Sequence, residues 1–125
     1  MEALQPIVQL GPIVIRPRNE IVMHPKIYNN SSFYPWFKDC VGAIDGILIS
    51  ASAPLKRQHA FRSRKGEISQ NVLVACDHDM RFTDIYTGIE GSTHDARVFQ
   101  HAVPSPDSLF PMPPAGKYYL VDSAY

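Results

Sequence analysis

The stretch of sequence that decides the fold is Val41–Ile49, which reads VGAIDGILI. Every residue in it except Asp45 is apolar or glycine. A short run that is apolar at successive positions is typical of a central strand covered on both faces of its sheet. We therefore expect a buried strand that carries one carboxylate in its middle.

The segments that follow predict the rest of a mixed sheet. Asn71–Cys76 and Phe82–Gly88 are rich in β-formers and flank Asp77–Arg81, which is typical of a hairpin. A helical period then covers Ser92–Val103, and Tyr118–Val121 predicts a last strand. This order of strand, strand, strand, helix, strand is how a ribonuclease-H-like α/β sheet begins. In that sheet the first and fourth strands are parallel neighbours.

Length and composition limit the class of protein. A chain of 125 residues without net formal charge has room for one domain, and it is neither a polybasic binder nor an acidic disordered tail. Residues 1–38 contain five prolines and predict an extended lead-in with one short strand at Ile13–Arg16. We expect residues 39–125 to form the folded domain, without a signal peptide or a membrane span. Cys40 and Cys76 are expected to be small core residues in a reducing compartment.

Charge is distributed unevenly along the chain. Residues 1–65 hold nine Lys and Arg against four acids, whereas residues 66–125 hold three against eight. The bases concentrate in one window, which consists of Lys56, Arg57, Arg62, Arg64 and Lys65. This basic window predicts either a face that binds phosphates or an exposed charged loop.

Asp45 is the residue that most strongly suggests chemistry. A carboxylate buried in an apolar strand is costly unless it has a partner, binds a metal or is protonated. The alternative is a structural Asp near the end of a strand, followed by a turn at Gly46. The residues alone leave both interpretations open.

Asp122 is the second candidate, because it directly follows the last predicted strand. Open sheets place their sites at such strand ends, although Asp122 also suits a helix N-cap or an Asx turn. If the first and fourth strands are parallel neighbours, the carboxylates of Asp45 and Asp122 converge. Two carboxylates at short range repel each other unless a divalent cation lies between them.

The remaining acids have strong structural explanations. Asp95 completes a capping box with Ser92, which by itself explains an acid at the start of a helix and leaves a further role open. His94 is a ligand, a proton carrier or neither. Asp77–Asp79 is expected to serve the hairpin turn, where Asp makes local hydrogen bonds.

A set of motifs occurs in a specific order over about residues 30–125. They are YPWFKDCVGAIDG at Tyr34–Gly46, then Arg62–Gly66, Gln70–Leu73, Gly91–Asp95 and Tyr118–Tyr125. Each motif is weak by itself, but the combination resembles the nuclease domain of Harbinger-type transposases and the domesticated nucleases derived from them.

The resemblance implies a DDE-type endonuclease with a ribonuclease-H-like fold that cleaves phosphodiester bonds in DNA. Divalent ions, Mg²⁺ or Mn²⁺, would be held by two Asp and one Glu, with Asp45 as the first acid and Asp122 as the second. Arg64–Gly66 would lie near the DNA backbone. Asp95 and His94 belong to a G-S-x-H-D signature. Its side chains would orient the metal ligands without binding the ion themselves.

Two departures from the family pattern bear on activity. The first Asp is usually followed there by Gly-Thr-His, and here by Gly46-Ile47-Leu48. The family's Glu comes some tens of residues after the second Asp, whereas this chain ends at Tyr125. We therefore expect a domain cut after its fourth strand, without N-terminal DNA-binding helices, that does not cleave DNA as this fragment.

Three functions are consistent with the sequence. The first is a transposase-derived, metal-dependent nuclease domain that is located in the nucleus and acts on DNA with a separate DNA-binding partner protein. The second is a domesticated or decayed copy that binds DNA or a protein and cuts nothing. The third is a small α/β interaction domain whose acids are structural. No small-molecule organic cofactor is expected.

Overall fold

The computed structural model describes residues 4–17, 22–52, 54–62, 66–90, 97, 110 and 112–123. The helical elements are α1 (Leu4–Val14), α2 (Pro25–Tyr28), a 3-10 turn (Leu55–Arg57) and α3 (Gln58–Phe61). The strands are β1 (Cys40–Ser50), β2 (Ser69–Cys76), β3 (Phe82–Glu90) and β4 (Tyr118–Val121). The helix expected over residues 92–103 lies outside the described residues, apart from Arg97.

The four strands form one mixed sheet in the order β3-β2-β1-β4. β1 pairs antiparallel with β2, β2 pairs antiparallel with β3, and β1 pairs parallel with β4. This arrangement confirms the predicted α/β class, the hairpin, and the first and fourth strands as parallel neighbours. It is compatible with the ribonuclease-H-like fold.

One cluster of buried residues lies on one face of this sheet, and Val72 and Val74 of β2 are buried on the other. Ile44, Leu73, Ala75 and Phe110 form the cluster, and Leu73 is fully inaccessible to solvent. Tyr86 and Tyr119 pack against the cluster from strands β3 and β4. The core therefore connects all four strands.

The N-terminal segment differs from the extended lead-in and the short strand at Ile13–Arg16 that the prolines predicted. Residues 4–14 form helix α1, and the Ile15 N–H continues its hydrogen bonding to the Gly11 carbonyl at 2.8 Å. The helix tolerates Pro6 because the first turn leaves its amides without intrahelical partners. Pro12 removes a single hydrogen bond close to the C-terminal end. The prediction overestimated how far two prolines disrupt a helix when they fall near its ends.

The expectation that β1 is covered on both faces holds only in part, because Val41 and Ala43, which lie between the buried residues of its first half, are half-buried. Cys40, Gly42 and Ile44 are buried, but the strand is mostly exposed from Asp45 onward. Ile47–Ile49 are between 40% and 53% exposed. The pairing with β4 stops at Ile44, so the second half of β1 has a described neighbour on one edge only. An apolar run shows what a strand can bury, whereas distant segments decide what covers it.

The two cysteines are free thiols, as predicted. Cys40 is buried, and burial raises the pKa of its thiol. Cys76 is only half-buried, which departs from the core position expected for it. Among the described residues, no helix has the length and apolar character that crossing a membrane requires.

Candidate active site

Asp45 lies in the interior of β1 and not at a strand end. The strand continues through Gly46, which pairs with Leu73 of β2, so the alternative of a turn at Gly46 is wrong. The Asp45 side chain is exposed, and its Oδ1 accepts a hydrogen bond from the Gly46 N–H at 2.8 Å. The burial penalty expected for this carboxylate does not arise, because solvent reaches it.

Asp122 directly follows β4, as predicted. Its Oδ1 accepts hydrogen bonds from the backbone N–H and the hydroxyl of Ser123. This local bonding is similar to that of Asp45. Within the described part of the chain, neither carboxylate has a side-chain partner beyond these bonds. Each therefore retains one oxygen for a ligand.

The register of the two parallel strands leads toward Asp45 and Asp122. The ladder ends with Ile44 opposite Val121, so the next residue on each strand is one of the two acids. Residues that are neighbours across a parallel ladder project from the same face of the sheet. The fold thus pairs the residues that directly precede the two acids, although these residues are far apart in sequence.

The donor set of this pair suits a hard divalent cation. Carboxylate oxygens are the ligands that Mg²⁺ and Mn²⁺ prefer, and a cation between two carboxylates relieves their repulsion. Within the described residues, no group of three or more His, Cys, Asp or Glu side chains is arranged to hold a metal ion. The chemistry of Asp45 and Asp122 is compatible with such a cation, since both supply carboxylate oxygens.

The basic window is only partly described. Lys56 lies in the 3-10 turn and is exposed. Arg62 is exposed and donates from Nη1 to the Gly66 carbonyl at 3.2 Å. The side chain of Arg57, and Arg64 and Lys65 as a whole, lie outside the described residues. The same holds for the candidates His94 and Asp95.

The hairpin turn confirms the expectation for Asp77. Its Oδ1 accepts hydrogen bonds from the N–H groups of Asp79 and Arg81, at 2.9 and 3.1 Å. Met80 closes the turn with a positive φ of 61°. The side chain thus supplies the local hydrogen bonds for which Asp is favoured in turns.

The same turn also makes long-range contacts that the sequence did not predict. Asp79 accepts from His24 Nε2 at 3.1 Å and forms an ion pair with Lys26 Nζ at 3.2 Å. The hydrogen bond from His24, and then that from Lys26, hold the pKa of the Asp79 carboxyl below its usual value. His78 Nε2 lies 2.9 Å from the Cys40 carbonyl, to which it donates. No local pattern marks these partners, because 55 residues separate His24 from Asp79.

A further acid, Asp84 on β3, was missed. It pairs with Ala75, whereas Asp45 pairs with Val74, so the two acids project from opposite faces of the sheet. Burial raises the pKa of Asp84, and the N–H of Ile85 partly offsets this shift. Asp84 therefore lies on the core face, away from the candidate site.

Comparison with known proteins agrees with this geometry. The family model described as DDE superfamily endonuclease matches residues 44–125, about two thirds of the chain, and the match includes both Asp45 and Asp122. No curated protein and no solved structure matches the chain. Endonucleases of this family generally use a divalent metal and act on DNA. On the family match, this chain belongs to the DDE superfamily endonucleases.

Proposed function

We propose that this chain is a Harbinger-type, transposase-derived nuclease domain that acts on DNA in the nucleus, with Asp45 and Asp122 as ligands of Mg²⁺ or Mn²⁺. The observation that carries the proposal is the parallel pairing of β1 with β4, in a register that continues to these two acids. Family membership supports the reaction class, the cleavage of phosphodiester bonds in DNA.

The two carboxylates have matching roles in this proposal. The N–H of Gly46 and the N–H of Ser123 each engage one carboxylate oxygen and restrict its rotation. The second oxygen of each acid would bind the cation. Held by these two acids, a divalent cation would supply Lewis acidity for attack on a phosphodiester bond of DNA. The acids lie on an exposed part of the sheet, where a DNA backbone has access.

Two observations favour a second candidate, a domesticated or decayed copy that binds DNA or a protein without cleaving. Ile47 is two residues after Asp45 on the same face and is 40% exposed, where the resembling family has a polar residue. A third acidic ligand is also missing from the described residues. We therefore propose that this 125-residue chain does not cleave DNA by itself.

Metal binding by the two acids is tested with Mn²⁺ and electron paramagnetic resonance. Asp45→Asn and Asp122→Asn should each weaken Mn²⁺ binding by at least about tenfold, since even residues that only support metal ligands cost 10–100-fold. Asp84→Asn is the matched control, because it removes a strand carboxylate from the opposite face. Equal binding by wild type, Asp45→Asn and Asp122→Asn would contradict the site.

Cleavage is tested by a plasmid-nicking assay with Mg²⁺ or Mn²⁺. The wild-type chain should leave the plasmid supercoiled, because two acids do not fix two ions at the separation of about 3.5–4 Å that the chemistry requires. Metal-dependent nicking that disappears in Asp45→Ala would show that the chain is active and that another residue replaces the missing acid.

The basic window is the proposed contact for the DNA backbone, and a separate protein would supply target recognition. Phosphate contacts release counterions, so duplex binding should weaken by orders of magnitude between 50 and 200 mM salt if several contacts form. The Arg64→Ala, Lys65→Ala double variant should bind more weakly and with a smaller salt dependence. Unchanged binding would remove this window from the interface.

A further inference from the structure

The N-terminal ends of β1 and β4 are held together by three contacts. Lys117 Nζ forms an ion pair with Asp39 Oδ1 at 3.1 Å, and the Tyr118 N–H donates to the Asp39 carbonyl at 3.1 Å. The Tyr118 hydroxyl donates to the Trp36 carbonyl at 3.2 Å. We call these contacts the clamp. The clamp coincides with the first pair of the ladder, Cys40 opposite Tyr118.

The spacing from the clamp to the two acids is unequal. Asp45 is five residues after Cys40, whereas Asp122 is four residues after Tyr118. A regular ladder that started at the clamp would place Asp122 opposite Ile44. Because side chains alternate between the faces of a strand, Asp122 would then project from the face opposite to that of Asp45.

A β-bulge in β1 removes this mismatch. Cys40 is opposite Tyr118, but Gly42 is opposite Tyr119, so Val41 is an extra residue on the β1 side. From Gly42 onward the register is shifted by one residue and leads to Asp45 beside Asp122. A bulge that adds one residue to one strand is a usual means of redirecting side chains beside functional sites.

The residues around the bulge are suited to it. A Cβ at position 42 would lie 2.0 Å from the Cys76 carbonyl oxygen and 3.4 Å from the Tyr119 ring, so only glycine allows this approach. The Cys40 carbonyl, which lies beyond the β1–β2 ladder, accepts its hydrogen bond from His78. The Cys40 thiol donates to the Gly42 carbonyl at 3.3 Å.

We propose that the bulge at Val41 absorbs the extra residue of β1 and so keeps the two acids aligned, while Gly42 allows the close approach of the strands beside it. This inference rests on the proposed function, in that the aligned acids are taken to bind a cation. Its physical content is a counting rule. The number of residues from Cys40 to Asp45 on β1 must equal the number from Tyr118 to Asp122 on β4 or exceed it by one. Only then are the clamp and the alignment of the acids compatible.

The experiment changes these spacings and measures Mn²⁺ binding by electron paramagnetic resonance. A second Val inserted after Val41 makes the spacing six against four, which one bulge residue cannot absorb. A Thr inserted between Tyr118 and Tyr119 makes it five against five, and the two insertions together make it six against five. Deletion of Val41 makes it four against four. Circular dichroism and thermal melting show whether each variant is folded.

The counting rule predicts a specific pattern. The Val insertion alone should weaken Mn²⁺ binding by at least about tenfold, and adding the Thr insertion should restore it. The Thr insertion alone and the Val41 deletion should bind like the wild type. Wild-type affinity in the Val insertion would overturn the inference. So would weak binding in the folded Thr insertion, the folded Val41 deletion or the folded double insertion.

A cross-linking experiment separates this inference from the proposed function. In a Cys76→Ser background, Asp45→Cys is combined with Asp122→Cys or with Ser123→Cys, and disulfide formation is compared. The wild-type register should favour the 45–122 pair, and the Val insertion should remove this preference. An unchanged preference in the Val insertion would overturn the role of the bulge. If wild type and Asp45→Asn bind Mn²⁺ equally, the metal site fails while cross-linking still decides the register.

Discussion

At the scale of single residues, the acids of the sheet are of one residue type but differ in burial. Asp45 and Asp84 both interrupt strands, but Asp45 is exposed and Asp84 is partly buried on the core face. Burial raises the pKa of Asp84. The pKa of Tyr119, which packs on the same face, is raised by burial and further by the charge of Asp84. Sequence pattern alone treats these two acids alike.

The raised pKa of Asp84 predicts a pH-dependent gain in stability from Asp84→Asn. A carboxyl whose pKa is raised by folding binds its proton more tightly in the native state, so its contribution to stability is lost as pH rises above its unfolded value of 3.8. The asparagine variant should therefore melt higher than the wild type at pH 7, and the difference should shrink toward pH 3. Thermal melts across this range measure the effect. A lower melting temperature at pH 7 would contradict the prediction.

At the scale of elements, α2 is joined to the β2–β3 hairpin by polar contacts. His24 caps α2, because its Nδ1 accepts the Lys26 N–H at 3.2 Å, and this leaves Nε2 as the donor to Asp79. Lys26 Nζ also donates to the His78 carbonyl at 2.9 Å. Thus the residue that caps α2 also binds the turn against which α2 lies.

Asp79→Asn should destabilise this junction. Folding lowers the pKa of Asp79, so its contribution to stability is present at neutral pH and is lost as pH falls below its unfolded value of 3.8. The variant should melt below the wild type at pH 7, with a smaller difference at high salt, because salt screens exposed charges. Equal melting temperatures of Asp79→Asn and the wild type at low salt would contradict the role of the ion pair.

At the scale of the whole molecule, the sheet has an uncovered apolar surface. Leu120 and Val121 on β4 are 43% and 44% exposed on opposite faces of the strand, and Ile47–Ile49 on β1 are exposed as well. β4 is an edge strand of the described sheet, so its outer edge also presents unpaired backbone groups. Exposed edges and contiguous apolar patches promote association between copies.

Leu120→Lys should reduce self-association of the chain. A lysine on an edge strand opposes strand-to-strand pairing and reduces the apolar area. The measurement is sedimentation velocity over a range of concentrations, in which the wild type should form larger species as concentration rises. Lys56→Ala, a substitution far from this edge in sequence, is the control. Equal concentration dependence of Leu120→Lys and the wild type would contradict the role of this edge.

The sequence by itself determined the strand segments, the hairpin and the two candidate acids. These features depend on local composition: β2, β3 and β4 are runs of β-formers, Asp77 makes turn bonds to residues two and four positions away, and Asp122 directly follows a strand. Helix α1 was not predicted, because the number of prolines was taken to exclude a helix. The position of each proline within the helical turns decides whether the helix forms.

Only the tertiary structure decided how β1 and β4 are aligned and which parts of β1 are covered. The register depends on contacts between residues far apart in sequence, such as Asp39 with Lys117, which are 78 positions apart. A bulge at Val41 cannot be deduced from an apolar run, because it exists only relative to the strand opposite. Local sequence thus specifies which residues can form a strand, whereas long-range packing specifies which residues become neighbours.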